Sequence, residues 1–505
     1  MKIFPWLFMF VLWFNEASSQ QIIFSEHRND ESSDINFEII GRQGNNYLVY
    51  KNIRWKHVIG VYDQQMKLVS NERLKFMPDK TFNVDFVTYP DFFYLIYQFQ
   101  KGNVVHCNMV KMDNDGQALS EPVHLDTSRI GAFADKRIYS IVSSEDKNHI
   151  LLYKMLRKNN NLTLVAKVYD KSMALSDSSR HLLNFNERRD IYSELSIDNE
   201  GTFLFTHERT KGNQENVWQL NLFLHPLKRD TLNKVPVSLG DKFIDEVMIK
   251  VDNKNRNYVL NSLFCKEIRG NITGLFTAAM PWNDPSKLST AFNYFPDSIR
   301  ARMNNEGQYN TAFNDIYIRN VIMKRDGGFI INLEDFSMRV TGNAFGRSRY
   351  DYLYNSPYGY NDYYYHNPSY YNYYRPFYYR SQTTTHYYYD NILAMSLDKN
   401  HQVQWNALMI KKQGDVETDN FLSFSNVVTG GEIHYFFMEA ERRNQVVVNN
   451  GLSPSGKLSR YGTLKGNSSG YSFMPKLAKQ VGPAQIILPC LYRGYIAFAL
   501  VDFSG

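Results

Sequence analysis

A tyrosine-rich segment is the part of the sequence best suited to chemistry at a surface. Between Tyr350 and Tyr389, 17 of 40 residues are tyrosine, and aliphatic residues almost vanish. A tyrosine brings a large rigid ring and a hydroxyl at low entropic cost, which explains its frequent use in binding surfaces. Both proteins and sugar rings pack on such faces. The residues predicted to bind are Tyr358, Tyr360, Tyr363, Tyr364, Tyr365, Tyr370, Tyr371, Tyr373, Tyr374, Arg375, Tyr378 and Tyr379.

Two other interpretations of this segment stay open. It is also compatible with a flexible low-complexity excursion that has no fixed role. Stacking of single-stranded nucleic acid requires aromatic platforms together with positive charge. Arg347, Arg349, Arg375 and Arg380 supply that charge. Because the chain is predicted to be secreted, we expect no nucleic-acid partner.

Sequence motifs of known catalytic sites are missing. There is no HExxH, GxSxG, P-loop, GxGxxG or EF-hand pattern. The 12 histidines are scattered without metal-ligand spacing, so neither a metal nor a cofactor is predicted. Acidic residues are plentiful, and a pair about 5 to 9.5 Å apart could hydrolyse a glycosidic bond. The spacing along the chain does not identify such a pair, and the catalytic residues stay unknown.

Two short segments resemble known motifs without matching them. Residues 451–456 have one residue too many for a nucleophile elbow, and they are interpreted as a β-turn. Residues 196–203 resemble the Asp-box of sialidase-like propellers, but Gly201 stands one position late. We interpret that segment as a turn as well, because the Asp-box is a structural motif that implies no activity.

Composition narrows the class of protein. The 505 residues are 43% hydrophobic and 15% aromatic, with a net charge of +6 and a mean hydropathy of -0.45. These values exclude a disordered, collagen-like or coiled-coil chain and a polytopic membrane protein. The N-terminus combines Lys2, an apolar run over 3–14 and the small residues Ala17, Ser18 and Ser19. This pattern predicts a signal peptide over 1–19, so the mature chain is expected in the periplasm or outside the cell, and not as a lipoprotein.

The elements that position these residues are predicted to be strands. Period-2 apolar runs dominate, and they are bounded by Asn, Asp, Gly and Lys, as in β-hairpins. Two kinds of hairpin recur, one exemplified by 196–205 and the other by 61–68 and 168–175. Units of four strands begin near Phe37, Phe82, Tyr139, Tyr192, Glu246, Ile316, Phe424 and Tyr471. Spacings of about 45 to 70 residues, apart from one enlarged unit, are typical of β-propeller blades.

The fold class predicted is all-β: a β-propeller of eight four-stranded blades, with seven as the runner-up. The last unit has three strands, so the strand at 21–26 is expected to complete it and to close the ring. Residues 20–505 then form one domain, with residues 343–389 as a loop inserted in blade six, between strands 329–333 and 392–397. Cys107, Cys265 and Cys490 lie far apart in apolar runs. One disulfide with one thiol left over is possible in an oxidising compartment, but we favour three small buried residues inside strands.

The mature chain resembles uncharacterised secreted β-propeller proteins of Gram-negative, Bacteroidota-like envelopes. The residues that carry this resemblance are 17–20, the tyrosine-rich segment, 387–393, 398–400 and Trp405. The resemblance implies a fold and a compartment, and it carries no catalytic residues. The function predicted is a non-catalytic interaction scaffold for an envelope protein or glycan, expected to be a monomer without a transmembrane anchor. The alternative is an enzyme acting on a polysaccharide, a glycoside hydrolase or lyase with acidic residues at the channel mouth.

Overall fold

A computed structural model of the chain describes residues 21–26, 36–130, 138–212, 216–304, 315–341, 384–416, 418–441, 444–464 and 470–503. The described residues are dominated by antiparallel strands, so the all-β prediction is confirmed. The helical part consists of α1 (Asp297–Asn304) and short 3₁₀ helices at Pro285–Lys287 and Pro475–Leu477.

The first strand and the first three sheets follow one another along the chain. Strand β1 is Gln21–Phe24. Sheet I contains β2 (Asn36–Gln43), β3 (Asn46–Ile53), β4 (Lys56–Tyr62) and β5 (Leu68–Arg73). Sheet II contains β6 (Thr81–Thr88), β7 (Phe93–Lys101), β8 (Val104–Met112) and β9 (Val123–Arg129). Sheet III contains β10 (Tyr139–Ser143), β11 (His149–Lys158), β12 (Asn161–Asp170) and β13 (Leu175–Asn184).

Sheets IV and V are joined edge to edge. Sheet IV contains β14 (Asp190–Tyr192), β15 (Ser196–Ile197), β16 (Phe203–Thr210), β17 (Val217–His225) and β18 (Asn233–Val237). Sheet V contains β19 (Phe243–Ile244), β20 (Met248–Asp252), β21 (Asn257–Cys265), β22 (Gly274–Pro281) and β23 (Ser289–Tyr294). Because β19 pairs with both β17 and β21, the two sheets form one continuous ten-stranded sheet.

The last three sheets complete the described chain. Sheet VI contains β24 (Ile316–Met323), β25 (Phe329–Thr341), β26 (Thr384–Leu397), β27 (Val403–Met409) and β28 (Gln413–Val416). Sheet VII contains β29 (Phe424–Val428), β30 (Ile433–Glu441), β31 (Asn444–Leu452) and β32 (Leu458–Arg460). Sheet VIII contains β33 (Tyr471–Phe473), β34 (Lys479–Gly482), β35 (Gln485–Tyr492) and β36 (Tyr495–Asp502), and β1 pairs with β36 from Gln21↔Asp502 to Phe24↔Ala499.

The hydrophobic core is divided among the interfaces between successive sheets. The described residues form eight apolar clusters, and seven of them are filled by two sheets that are neighbours in sequence. One cluster joins the last sheet to the first, where Ile487 and Phe498 pack with Phe37 and Ile39. The two middle strands of each sheet are the most buried because they have neighbours on both edges as well as on both faces.

The two kinds of hairpin expected from the sequence share one turn geometry. Asp63 NH donates to Lys67 O, Met66 NH donates back to Asp63 O, and Met66 takes a positive φ of 55°. Similar turns begin at Asp113, Ser144, Asp170, Asp198, Lys324, Asp398 and Ser453, and the fourth residue of each has positive φ. The segments at 196–203 and 451–456 are therefore turns, as predicted.

These turns interlock on one side of the molecule, which we call the turn face. It consists of the first and third hairpin turns of each sheet. Asp146 NH of sheet III donates to Asn199 Oδ1 of sheet IV at 3.1 Å, and Asn199 NH donates to Asn253 Oδ1 of sheet V at 2.9 Å. Because consecutive turns of an antiparallel meander lie at opposite ends, the second turn of every sheet lies on the other side, which we call the stem face.

The tyrosine-rich loop is shorter at its C-terminal end than the sequence indicated. Residues 384–389 belong to strand β26, which was expected to begin only at Ile392. Tyrosine is a strong strand former, and β25 continues alongside to Thr341, so the two strands pair beyond the sheet. The signal peptide interval and residues 342–383 lie outside the described residues.

Candidate functional site

The second hairpin of sheet VI projects past its neighbours and forms the candidate site. We call its outer part the stem: Phe336–Thr341 paired with Thr384–Tyr389. Strand β28 pairs with the same stretch of β26 and widens the stem to three strands. The pairing shifts register between Glu334 and Phe336, so Asp335 lies opposite two residues of β26, Asp390 and Asn391, in a bulge at the base of the stem. A bulge increases local twist, so the stem leaves the sheet at a bend.

A buried ion cluster anchors the base of the stem. The Glu334 carboxylate is fully buried; it accepts from Arg319 Nε at 2.6 Å and forms an ion pair with Lys411 Nζ at 2.8 Å. Ser423 Oγ donates to the same carboxylate at 2.7 Å. Arg319 also donates from Nη2 to Ser423 Oγ at 2.7 Å. These four residues, which we call the ion cluster, lie on β24, on β25, between β27 and β28, and directly before sheet VII.

Polar contacts extend the ion cluster to neighbouring strands. Lys411 Nζ donates to Tyr389 O at 2.9 Å and to Gln413 Oε1 at 3.0 Å. Tyr389 OH donates to Asp419 Oδ2 at 2.8 Å, and Lys476 Nζ lies 2.6 Å from the same oxygen. These contacts therefore join Tyr389, at the base of the stem, to the segments that carry Lys411, Asp419 and Lys476. A buried charge is tolerated when its hydrogen-bonding capacity is met by partners in this way.

Burial and charge shift the carboxyl groups here in opposite directions. Lys411 and Arg319 hold the pKa of Glu334 below its usual value despite burial. Burial, helped by Asp315 and Asp390, raises the pKa of Asp335 to about 7. Burial also raises the pKa of Asp390. Glu334 is therefore ionised at neutral pH, while Asp335 is close to half protonated.

The exposed side of the stem offers aromatic and basic groups. The Arg339 guanidinium lies 5.6 Å from the centre of the Tyr388 ring, and His386 stacks on Tyr388 with ring centres 6.5 Å apart. Tyr387 packs against the core shared by sheets V and VI. Tyr388 therefore lies with Arg339 and His386 on one side of the stem, while Tyr387 anchors the opposite side of β26 to the core. A rigid ring beside a cation suits a ligand that combines an apolar face with negative charge.

A second group of ionisable residues lies along the first strands of the sheets. Glu38, Asp85 and Glu246 are buried and Glu194 is half-buried. Lys479 Nζ donates to Ile39 O at 2.9 Å and so joins sheet VIII to sheet I.

Proton affinities in this second group depart from ordinary values. Burial raises the pKa of Glu38 well above its usual range, opposed by the nearby Lys479 ammonium. Burial lowers the pKa of Lys479. A carboxyl group with a raised pKa can act as an acid near neutral pH. No sequence motif indicates this grouping, because its members are separated by whole sheets, and only the sheet period could have identified it.

The other predictions about sites have separate outcomes. All twelve predicted binding residues, from Tyr358 to Tyr379, lie outside the described residues. Cys107, Cys265 and Cys490 are buried free thiols, as predicted. Within the described ranges, no three His, Cys, Asp or Glu side chains are placed to hold a metal ion. No helix in the described part of the chain is long and apolar enough to cross a membrane.

Comparison with known proteins gives weak structural similarities. No family model and no curated protein matches the chain. A prolyl endopeptidase structure is 7% identical, with a TM-score of 0.43, over 92% of this chain and 55% of that chain. The chain thus spans about half the length of that enzyme.

Two further structures are similar over most of their own length. A polysaccharide lyase of family PL25, an ulvan lyase, is 11% identical, with a TM-score of 0.39, over 83% of this chain and 92% of that one. The β-propeller domain of the Trilobed protease from Pyrococcus furiosus is 8% identical, with a TM-score of 0.38, over 84% and 96%. Similarity this low does not transfer a function to this chain.

Proposed function

We propose that the chain is a closed β-propeller of eight blades that acts as a non-catalytic interaction scaffold. Two features support the closed ring. Strand β1 pairs with β36, and sheets VIII and I share an apolar cluster of the same kind as those between the other neighbouring sheets. A ring in which every sheet is covered on both faces leaves only short edges exposed.

The observation that carries the scaffold function is the anchored stem. The protein buries a carboxylate, a guanidinium and an ammonium at one point to hold a hairpin that projects beyond the sheet. Such a cluster is costly to desolvate and gives little net stability compared with an apolar core. Its use at the base of the tyrosine-rich segment supports a role for that segment in binding an envelope protein or glycan.

A deletion tests this proposal. Replacing residues 343–383 by a short Gly-Ser linker keeps the stem and removes the tyrosine-rich segment. We expect thermal unfolding to stay unchanged and partner capture from envelope extracts to be lost. A full-length variant with Tyr358, Tyr360, Tyr363 and Tyr364 changed to Ser keeps the chain length and should also capture less partner. Equal capture by the deletion variant and the native protein would contradict the proposal.

An enzyme acting on a polysaccharide is the second candidate, and the first-strand carboxylates favour it. Glu38 and Asp85 lie on the first strands of sheets I and II, Glu246 lies just before β20 of sheet V, and the pKa of Glu38 is raised. Their burial argues against direct contact with a polymer. A panel of plant, algal and bacterial polysaccharides with product analysis decides between the two. Turnover that disappears in Glu38→Gln or Asp85→Asn would replace the scaffold proposal.

The proposed location is the periplasm or the exterior of a Gram-negative cell, and the proposed state is a monomer. The predicted signal over 1–19 supports secretion. N-terminal sequencing of the protein recovered from outside the inner membrane tests the predicted cleavage before Gln20. Retention of residues 1–19 in a cytoplasmic fraction would contradict it. Light scattering at micromolar concentration measures the oligomeric state, and a mass near twice that of the chain would contradict a monomer.

A further inference from the structure

Basic residues are concentrated at the second hairpin turns, on the stem face. In sheets I to V and VIII, each second turn is taken with the two residues before it and the two residues after it, as far as these residues are described. These stretches contain ten arginines and lysines and a single acidic residue, Glu267. The basic residues are Arg54, Lys56, Lys101, Arg157, Lys158, Arg209, Lys211, Lys266, Arg269 and Arg493. The net charge of the whole chain is only +6, so this concentration on one face is not a general property of the surface.

The opposite face lacks this bias. Its turns carry Asp63, Asp113, Asp170, Asp198 and Asp398, whose carboxylates accept backbone amide hydrogens within the turn. Acidic and basic residues are mixed there. The second turns therefore differ in charge from the turns of the turn face, and an anion is attracted to them.

The second turn of sheet I has residues that do not suit its conformation. Arg54 and Trp55 both have positive φ, at 49° and 67°. A two-residue turn of this kind favours Asn and Gly because a bulky side chain is strained there. The equivalent turn in sheet III uses Asn159 and Asn160, and that in sheet VIII ends in Gly494.

Strain at Trp55 coincides with exposure. The indole is 57% exposed and lies between Arg54 and Lys56 at the tip of the hairpin, where it packs on no core cluster. A strained residue that contributes nothing to packing is typical of a binding element. An exposed aromatic ring between two cations offers a flat apolar face with positive charge on both sides.

We propose that the second turns of the stem face, with Trp55 as the aromatic contact, bind an anionic polysaccharide. Repeated sulfate or carboxylate groups along such a polymer can meet basic tips on several sheets, and a sugar ring can pack on the indole. A membrane surface fits less well, because the tips of sheets II and III, Gly102-Asn103 and Asn159-Asn160, offer no apolar group for insertion. This inference rests on the proposed function only in placing ligand binding on the stem face.

The test is binding of the full-length protein to heparin, a sulfated polysaccharide, with uncharged dextran as the blank. The double variant Arg54→Gln, Lys56→Gln is expected to weaken heparin binding about fivefold to tenfold and to reduce its dependence on salt. The matched control, Lys67→Gln with Lys399→Gln, removes the same charge from the turn face. An equal loss in the control would overturn the proposal.

A substitution at the strained position separates binding from structure. Trp55→Gly relieves the positive φ, so it is expected to unfold at the same or a higher temperature while heparin binding falls about tenfold. Unchanged binding, or tighter binding of the native protein to phosphatidylserine vesicles or single-stranded DNA than to heparin, would overturn the proposal. The variant lacking 343–383 should still bind heparin. If only that deletion abolished binding, the scaffold proposal would survive and this inference would fall.

Discussion

The turn face and the ion cluster stabilise the same set of sheets in contrasting ways. On the turn face, the same short turn recurs with Asp or Ser at its start, or Lys in the turn at Lys324, and a residue of positive φ at its fourth position. Each turn is closed by residues that are neighbours in sequence. The ion cluster joins Arg319, Glu334, Lys411 and Ser423, which lie on separate segments of the chain. Many small local contributions on one face therefore contrast with a single concentrated interaction under the other.

This contrast indicates where the molecule tolerates change. Loss of one turn removes one or two hydrogen bonds and leaves its neighbours in place. Loss of one member of the ion cluster leaves the other charges buried without compensation. Substitutions in the two regions should therefore differ strongly in their effect on stability, and four measurements examine this difference.

The largest effect is expected for Glu334→Ala. This change leaves Arg319 and Lys411 as buried cations without their carboxylate, so the free energy of unfolding should fall by about 3 to 5 kcal/mol. Urea unfolding followed by tryptophan fluorescence measures it. Glu439→Gln is the control, because its ion pair with Arg460 is largely exposed and should change stability by about 1 kcal/mol or less. Equal effects of the two substitutions on the free energy of unfolding would mean that the buried ion cluster is no more important for stability than an exposed ion pair.

Stability near the stem is expected to depend on pH through Asp335. Its pKa of about 7 in the folded protein lies above the value of about 3.9 for an unfolded chain, so the folded state holds a proton that the unfolded state has lost. The free energy of unfolding should therefore fall as pH rises from about 4 to 7 and stay low above that.

Asp335→Asn should remove most of this pH dependence and raise the urea midpoint at pH 8. Asp91→Asn, at an exposed position of the turn face, should leave the pH dependence as it is. The Glu334 carboxyl has a lowered pKa, so its contribution is lost only as pH falls below this range. A urea midpoint of the native protein that is constant from pH 5 to pH 8 would contradict the position given to Asp335.

A comparison of two glycines tests how the turns pack on their neighbours. Gly456 and Gly494 have nearly equal φ values of 83° and 85°, but a Cβ on Gly456 would lie 2.7 Å from the Trp405 ring and a Cβ on Gly494 would meet nothing within 4 Å. Gly494→Ala should cost about 1 to 2 kcal/mol from backbone conformation alone. Gly456→Ala should cost about 1 to 3 kcal/mol more, because Trp405 must move. Equal decreases in melting temperature for the two variants would show that the packing of the turn against Trp405 adds nothing to stability.

The smallest effect is expected for a single turn carboxylate. Asp398 Oδ1 accepts from Asn400 NH at 2.9 Å and Gln402 NH at 2.8 Å. Asp398→Ala should lower the free energy of unfolding by about 1 kcal/mol, as for loss of a helix cap of similar geometry. Asp398→Asn keeps an acceptor and should lose less. A loss for Asp398→Ala as large as that for Glu334→Ala would mean that the turn face is not a sum of small local terms.

Much of the strand framework could be predicted from the sequence. The eight expected beginnings of units, from Phe37 to Tyr471, lie in or within two residues of a first strand, and the turns at Asp63, Asp170 and Asp198 have the expected chemistry. Glu246 is the expected beginning that lies outside a strand: it stands between β19 and β20, two residues before β20. The end of the tyrosine-rich loop was misplaced because Thr384–Tyr389 has strand propensity but no apolar alternation to signal pairing.

By itself, the sequence determined the fold class, the positions of most hairpins and the identity of their turn residues. These features depend on alternation and turn preferences that act within about ten residues. Only the tertiary structure decided that Glu334 meets Lys411, that Glu38 lies near Lys479, and that basic second turns share one face. Those relations join residues separated by tens to hundreds of positions, and one sequence carries no record of which distant charges the packing of sheets brings together.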